Sequence, residues 1–193
     1  MNQIEYLYSQ NSKIKLLPLN LKKNNETDLV NDYSKKLNLE ILKVGFESRI
    51  NQKLPFYKSF YDQLGLRYNI SYKYFFCPSD SKKENELYAH LTSLFKIEKN
   101  DYILVHDEAS NEKYELEIDS DKDVISLSSE YDIFNNIFLY KKLVLNASEI
   151  HCINSSFAHL VDRSITNGKK FYHNIRGGKL KFKKKWKYIE YKN

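Results

Sequence analysis

Polar and apolar positions along this chain switch between two periods, and the switches predict an α/β order of elements. Short apolar runs at 14–17 and 39–44, closed by Pro18 and Gly45, read as strands. Between them Asn25-Glu26-Thr27-Asp28 offers a helix start, with Leu29, Val30, Tyr33 and Leu37 at helical spacing, so this stretch predicts a β-α-β unit. Residues 54–64 predict a second helix: Pro55 sits in its first turn, Phe56, Phe60, Tyr61 and Leu64 share a face, and Gly65 ends it. The Tyr- and Phe-rich stretch 66–79 reads as a packed aromatic connector. A third helix runs from an Asp80 cap to about Phe95, with Leu87, His90, Leu91, Leu94 and Phe95 inward.

Residues 101–108 are a nearly continuous apolar strand, the pattern of a strand covered on both faces, and it ends in His106-Asp107-Glu108. Residues 114–118 and 124–127 read as a strand pair or short β excursions, and 133–145 as a helix whose two-sided apolar pattern implies deep burial or an interface. Residues 149–153 alternate as a strand does, after which Asn154, Ser155 or Ser156 caps a helix with Phe157, Leu160, Val161 and Ile165 as its apolar positions. A further strand, 170–173, ends on His173 and is followed by Asn174 and Arg176-Gly177-Gly178. The fold class predicted is α/β, with a Rossmann-like, mostly parallel sheet flanked by helices. Residues 66–193 form this domain, and residues 1–65 precede it as a β-α-β remnant plus a linking helix.

Two strand ends carry the candidate chemistry. In open α/β sheets ligands bind outside the carboxyl ends of the strands, which makes His106, Asp107 and Glu108 candidate catalytic residues. The turn at Asn154-Ser155-Ser156-Phe157 feeds a strand into a helix, where unpaired N–H groups and the helix dipole favour an anion such as phosphate. The competing reading of the two serines is a plain helix cap. A Ser-His-Asp nucleophilic site built from Ser155 or Ser156 with His106 and Asp107 lacks the small-residue elbow that exposes a nucleophile. The five histidines show no zinc-helix spacing, and there is no Gly-rich phosphate loop, so no metal site is expected.

Composition narrows the partners. With 193 residues, 41% hydrophobic and 15% aromatic, the chain is long enough for one full core. No apolar stretch approaches the roughly 20 residues of a membrane span, and the first residues lack a signal-peptide pattern, so a cytoplasmic location is expected. Cys77 and Cys152 are too few and too far apart for a disulfide framework. The net charge of +6 is concentrated at the end, where seven lysines fall within 179–193 among Phe182, Trp186, Tyr188 and Tyr191. This tail reads as a final strand or helix with aromatic residues inward and lysines in water, in preference to a nucleic-acid surface.

The order of the helix 54–64, Gly65-Leu66-Arg67-Tyr68, Glu84-Asn85-Glu86-Leu87-Tyr88, Tyr102-Ile103-Leu104-Val105-His106-Asp107, Glu149 through Phe157, and Phe171-Tyr172-His173 resembles a group of glycosyltransferase-like proteins of surface-polysaccharide clusters and large viral genomes. The Ser-Ser-Phe segment is similar to the one that meets the donor diphosphate in fucosyltransferase-type GT-B enzymes. The resemblance implies a GT-B donor half with no cofactor beyond a nucleotide-diphosphate sugar as donor substrate, and a glycan as acceptor. It implies donor binding by Asn154, Ser155, Ser156 and Phe157, with His106 and Asp107 at the mouth of the same cleft. Such proteins usually carry a Gly-rich N-terminal segment and an arginine soon after the His-Asp pair. Their absence here implies either a truncated, non-catalytic module or a split enzyme whose partner chain supplies the first lobe, and charge compensation from Lys113, Arg163, Arg176 or the lysine-rich tail, with His173 a further donor-binding candidate.

Overall fold

The computed structural model describes residues 3–17, 25–42, 44, 53–99, 101–109, 112–177 and 180–191. The chain divides into two compact units, Ser12–Phe76 on the one hand and Met1–Asn11 with Cys77–Asn193 on the other, so the break falls at Phe76 rather than near Gly65. The first helix, α1 (Gln3–Tyr8), belongs to the larger unit, where the Tyr6 hydroxyl donates to the Pro78 carbonyl.

The smaller unit is helical: α2 (Glu26–Leu37), α3 (Phe56–Gln63) and the single turn α4 (Ile70–Lys73). The Asn25 side chain accepts from the Thr27 N–H (2.9 Å) and starts α2, and Asn38, with φ of 52°, ends it. The described residues of the two flanking apolar runs, 14–17, 39–42 and 44, are not in strands. Ile14, Leu16, Leu17, Leu39 and Leu42 are exposed in irregular backbone, while Pro18 and Gly45, taken as their ends, lie outside the described residues. Among the described residues the predicted β-α-β unit is therefore not formed: a short apolar run becomes a strand only when a partner backbone takes its hydrogen bonds. The aromatic connector packs only in part: Tyr57 and Tyr61 of α3 and Tyr72 ring Tyr68 at 5.2, 5.3 and 5.9 Å between centroids, whereas Tyr74 and Phe76 are exposed.

The larger unit is a five-stranded, all-parallel sheet flanked by helices, an α/β Rossmann-like fold. It begins with α5 (Ser81–Leu94), opened by a reciprocal cap in which Asp80 accepts from the Lys83 N–H and Glu84 accepts from the Asp80 N–H, each at 3.1 Å. Leu87 and Leu91 are buried, whereas Leu94, predicted inward, is 47% exposed. There follow β1 (Ile103–His106), β2 (Val124–Ser126), a 3-10 turn (Ile137–Leu139), α6 (Lys141–Asn146), β3 (Glu149–Cys152), α7 (Ser156–Arg163), β4 (Lys169–Asn174) and β5 (Lys187–Glu190). The strand order is β2-β1-β3-β4-β5, with His106 level with Cys152 and Cys152 level with Tyr172. Residues 114–118 form no strand; only a bridge between Glu108 and Lys113 marks that region.

The single helix predicted at 133–145 is broken. The Asp132 carboxylate accepts from the Phe134 and Asn136 N–H groups (3.0 and 2.7 Å), and Asn135 adopts φ of 46°, so local side-chain bonds capture the backbone before a helix can propagate through it. The helical part starts only at Lys141.

The connections β2 to β3 and β3 to β4 advance in the same direction along the sheet, and right-handed crossovers place α6 and α7 on the same face. Phe157 of α7 meets Tyr140, the residue before α6, edge-on at 5.9 Å, and the Tyr102 hydroxyl donates to the Leu143 carbonyl (2.8 Å). Phe157, Leu160 and Val161 are buried as predicted, but Ile165, two residues past the helix, is 82% exposed. No helix among the described residues is long and apolar enough to cross a membrane.

One glycine is sterically required. A Cβ on Gly168, just before β4, would stand 2.4 Å from the Ala147 carbonyl oxygen and 3.2 Å from that of Ser148, both backbone atoms that cannot swing away. Gly168→Ala is expected to cost about 1–3 kcal/mol in urea unfolding by forcing β3 and β4 apart at their start. A variant as stable as the parent would contradict that close approach.

Candidate functional site

A parallel sheet with the order β2-β1-β3-β4-β5 has its topological switch point between β1 and β3, because the chain leaves β1 in one direction and returns past it in the other. The crevice beyond the carboxyl ends of those two strands is the general ligand position of such sheets. Here it is a cleft of about 430 Å³ lined by residues following four of the five strands. Ser128 and Ser129 come from the end of β2, His106 and Glu108 from β1, Ser155, Ser156 and Phe157 from β3, and Arg176 from β4. The two strand ends singled out in the sequence therefore do meet.

At the β3 exit Ser155 is the cap of α7, its backbone extended and its hydroxyl accepting from the Ala158 N–H (3.3 Å). This leaves the Ser156 and Phe157 N–H groups without intrahelical partners at the positive end of the helix. Arg176 lies beside them, Nη1 donating to the Asn154 carbonyl at 2.7 Å; its side chain also bonds the Tyr114 hydroxyl, and the residue is exposed. Phe157 is wholly buried and forms the floor: the His106 ring stacks on it at 5.0 Å with planes 15° apart. Burial lowers the His106 pKa, and His106 Nδ1 has no hydrogen-bond partner. The imidazole is thus neutral at pH 7.

Alternation along β1 separates the His-Asp-Glu triplet. His106 and Glu108 point to the cleft, and Asp107 points through the sheet to a second cavity, with Lys113 at 3.9 Å. The expectation that His106 and Asp107 share one cleft is corrected accordingly, and Lys113 goes with Asp107. Arg163 is also elsewhere. It lies at the other end of α7, roughly 10 Å along the axis from Ser156 at 1.5 Å per residue, and donates to the His159 carbonyl (3.0 Å). Asn154 contributes its carbonyl to Arg176 rather than its side chain to the cleft wall.

His173 is interior. Its Nε2 lies 2.8 Å from His151 Nδ1 and its Nδ1 2.7 Å from the Tyr191 hydroxyl, which accepts from the Glu117 N–H; His151 Nε2 in turn faces Glu149 at 3.5 Å. A donor order consistent with two neutral rings runs from the Tyr191 hydroxyl to His173 Nδ1, from His173 Nε2–H to His151 Nδ1, and from His151 Nε2–H to Glu149. Burial pushes His173 down to about 4 and lowers His151 as well. Unfolding returns both to about 6.5. Between these limits the unfolded chain binds more protons, so stability is full above the unfolded value and falls as pH drops toward 4. Urea midpoints measured from pH 7 down to 4.5 are expected to decline, and more shallowly in a His151→Gln/His173→Gln variant. Equal slopes in the two proteins would contradict the neutral pair.

Sequence reasoning missed the β2 side of the cleft: Ser128, Ser129, Asp132, Asn135 and Tyr140. A signal was present, since Ser128-Ser129 closes β2 as Ser155-Ser156 closes β3. Burial, and then the neighbouring Asp132 carboxylate, raises the Tyr140 pKa, so this phenol stays protonated. Among the described residues no group of three or more His, Cys, Asp or Glu is arranged to hold a metal. No protein-family model matches the chain, and no curated protein and no solved structure matches it.

Proposed function

We propose that the chain binds a nucleotide-diphosphate sugar in this cleft and serves as a glycosyltransferase-like donor domain that passes the sugar to a glycan acceptor. The observation that carries the reading is the polarity of the cleft along the sheet edge. Its β3–β4 side is positive, from the α7 N-terminus and Arg176, and its β2–β1 side is acidic and hydroxylated, from Asp132, Glu108, Ser128 and Ser129. A ligand with a diphosphate at one end and sugar hydroxyls at the other matches both sides. The helix N-terminus and Arg176 stabilise the charge that develops on the departing nucleoside diphosphate. Glu108 is the carboxylate suited to take the acceptor hydroxyl proton, and neutral His106 offers Nδ1 to a ligand hydroxyl.

A second reading is a binding module that turns over only with a partner chain supplying the acceptor lobe. It is favoured by the smaller unit, whose described residues hold three helices and no strand. Calorimetric titration with UDP- and GDP-sugars tests the shared premise. Saturable binding displaced by inorganic pyrophosphate supports it, and no heat at millimolar ligand overturns it. Release of nucleoside diphosphate from donor and acceptor by the chain alone then favours the first reading over the second.

A further inference from the structure

The second cavity, about 560 Å³, opens on the sheet face opposite the nucleotide cleft and is used by nothing argued so far. Its walls are apolar: Val105 of β1, Val124 of β2, and Leu116 and Ile118 of the β1–β2 connection. Two polar groups interrupt them. Asp107 is 8% exposed, and its Oδ1 has no hydrogen-bond partner; Ser126 Oγ is likewise buried and unpartnered. Val105 and Ser126 are level across β1 and β2, so Asp107, two residues on, stands diagonally opposite Ser126 on the same face. Residues so related are about 7–8 Å apart at the backbone, within reach of side chains that converge on one small group.

A buried carboxylate oxygen without a donor is a cost to the fold that an apolar residue there would not incur. Lys113 does not relieve it, being 3.9 Å from the other oxygen and more than half exposed. Burial raises the Asp107 pKa, which is the same deficiency seen from the proton's side. Glu115 adds a second carboxylate at the rim, so the lining carries two acids against one lysine. The vacancy in hydrogen bonding is for donors, the charge balance is for a cation, and the walls are for hydrocarbon.

We propose that this cavity is a binding site for a small organic ammonium carried on an apolar stem, its N–H groups donating to Asp107 Oδ1 and Ser126 Oγ while the stem packs on Val105, Leu116, Ile118 and Val124. The site is independent of the nucleotide cleft, since β1 lies between the two and presents alternate side chains to each.

Benzylammonium is the probe, and benzyl alcohol is its neutral counterpart of the same shape. In the full chain, NMR titration with benzylammonium is expected to shift the methyl signals of Val105, Leu116, Ile118 and Val124 with one saturable constant. Benzyl alcohol and the Asp107→Asn protein should each bind about tenfold more weakly or worse, the effect of losing a charge-assisted hydrogen bond. Ser126→Ala should weaken binding by a smaller factor, and this arm together with the alcohol decides the matter if Asp107→Asn fails to fold. Equal affinity for the alcohol, equal affinity in the variants, or shifts confined to other residues would overturn the proposal. Loss of nucleotide binding would leave this result unchanged, because the two sites share no side chain.

Discussion

Asp162→Ala is expected to destabilise the protein by about 3–5 kcal/mol and to lower its melting temperature by on the order of 10 °C. Asp162 lies on α7 with no exposed surface, and its carboxylate accepts from the Lys183 N–H (3.1 Å), the Lys184 N–H (3.1 Å) and Trp186 Nε1 (2.9 Å). These three bonds hold the segment before β5 against α7. Phe182 stacks on Trp186 at 4.4 Å and meets Tyr172 of β4 edge-on, so these two aromatic residues of the tail are packed inward by the same anchor, while Tyr188 is exposed. Alanine leaves three donors facing a void, and the route to relief is for the segment to lift into water, which exposes Trp186 and frays β5. Trp186 is the sole tryptophan, so its emission reports the event: unfolding in urea should shift to lower concentration, and the native emission to longer wavelength. A loss under 1 kcal/mol with unchanged emission would show that the carboxylate does not anchor the tail.

Arg176→Ala is expected to weaken binding of a UDP- or GDP-sugar by about 10–100-fold with little change in stability. The fold-change is that of one charge-assisted, two-pronged contact to phosphate. Stability is spared because the side chain is exposed and its hydrogen bonds, to the Asn154 carbonyl and the Tyr114 hydroxyl, are at the surface. Lysine in its place should restore only part of the affinity, since an ammonium offers a point charge without the planar fork. Arg163→Ala is the matched control, removing an arginine from the far end of the same helix. Comparable losses in both variants would reduce the effect to general electrostatics and remove the phosphate contact from the account.

The half of the fold that bears the cleft was legible because its signals are local. A strand that alternates at 149–153 and then meets a capping serine needs no distant partner to be recognised, and Ser155 does cap α7. The apolar runs at 14–17 and 39–44 were misleading for the converse reason. Hydrophobic pattern records a tendency to bury, while a strand also requires a neighbour to bond to, and none is supplied there among the described residues. The break before α6 was written in Asp132 and Asn135-Asn136, residues that bond locally and interrupt helices, but the apolar residues around them masked it.

In the site, the chain order of His106, Asp107 and Glu108 already contained the correction, because consecutive residues of a strand cannot face the same way. The His151–His173 pair and the Asp162 anchor were not legible in the same sense. Each joins residues that become neighbours only once strand order or the return of the tail is known, at separations of 22 residues for the histidines and 24 between Asp162 and Trp186. Arg176 was readable as a cation just after a strand, but its neighbour in space, the α7 N-terminus, follows from the parallel pairing of β3 with β4.

The central claim is that the ends of β1 and β3 form one site for a nucleoside diphosphate. Amide NMR of the labelled chain titrated with UDP- and GDP-sugars tests it most directly, because each backbone N–H reports for itself. The account predicts saturable shifts at Ser156 and Phe157, at His106 and Glu108, and at Ser128 and Ser129, with Asp107 and Lys113 affected less. Shifts confined to the lysine-rich tail, or none at millimolar ligand, would contradict it.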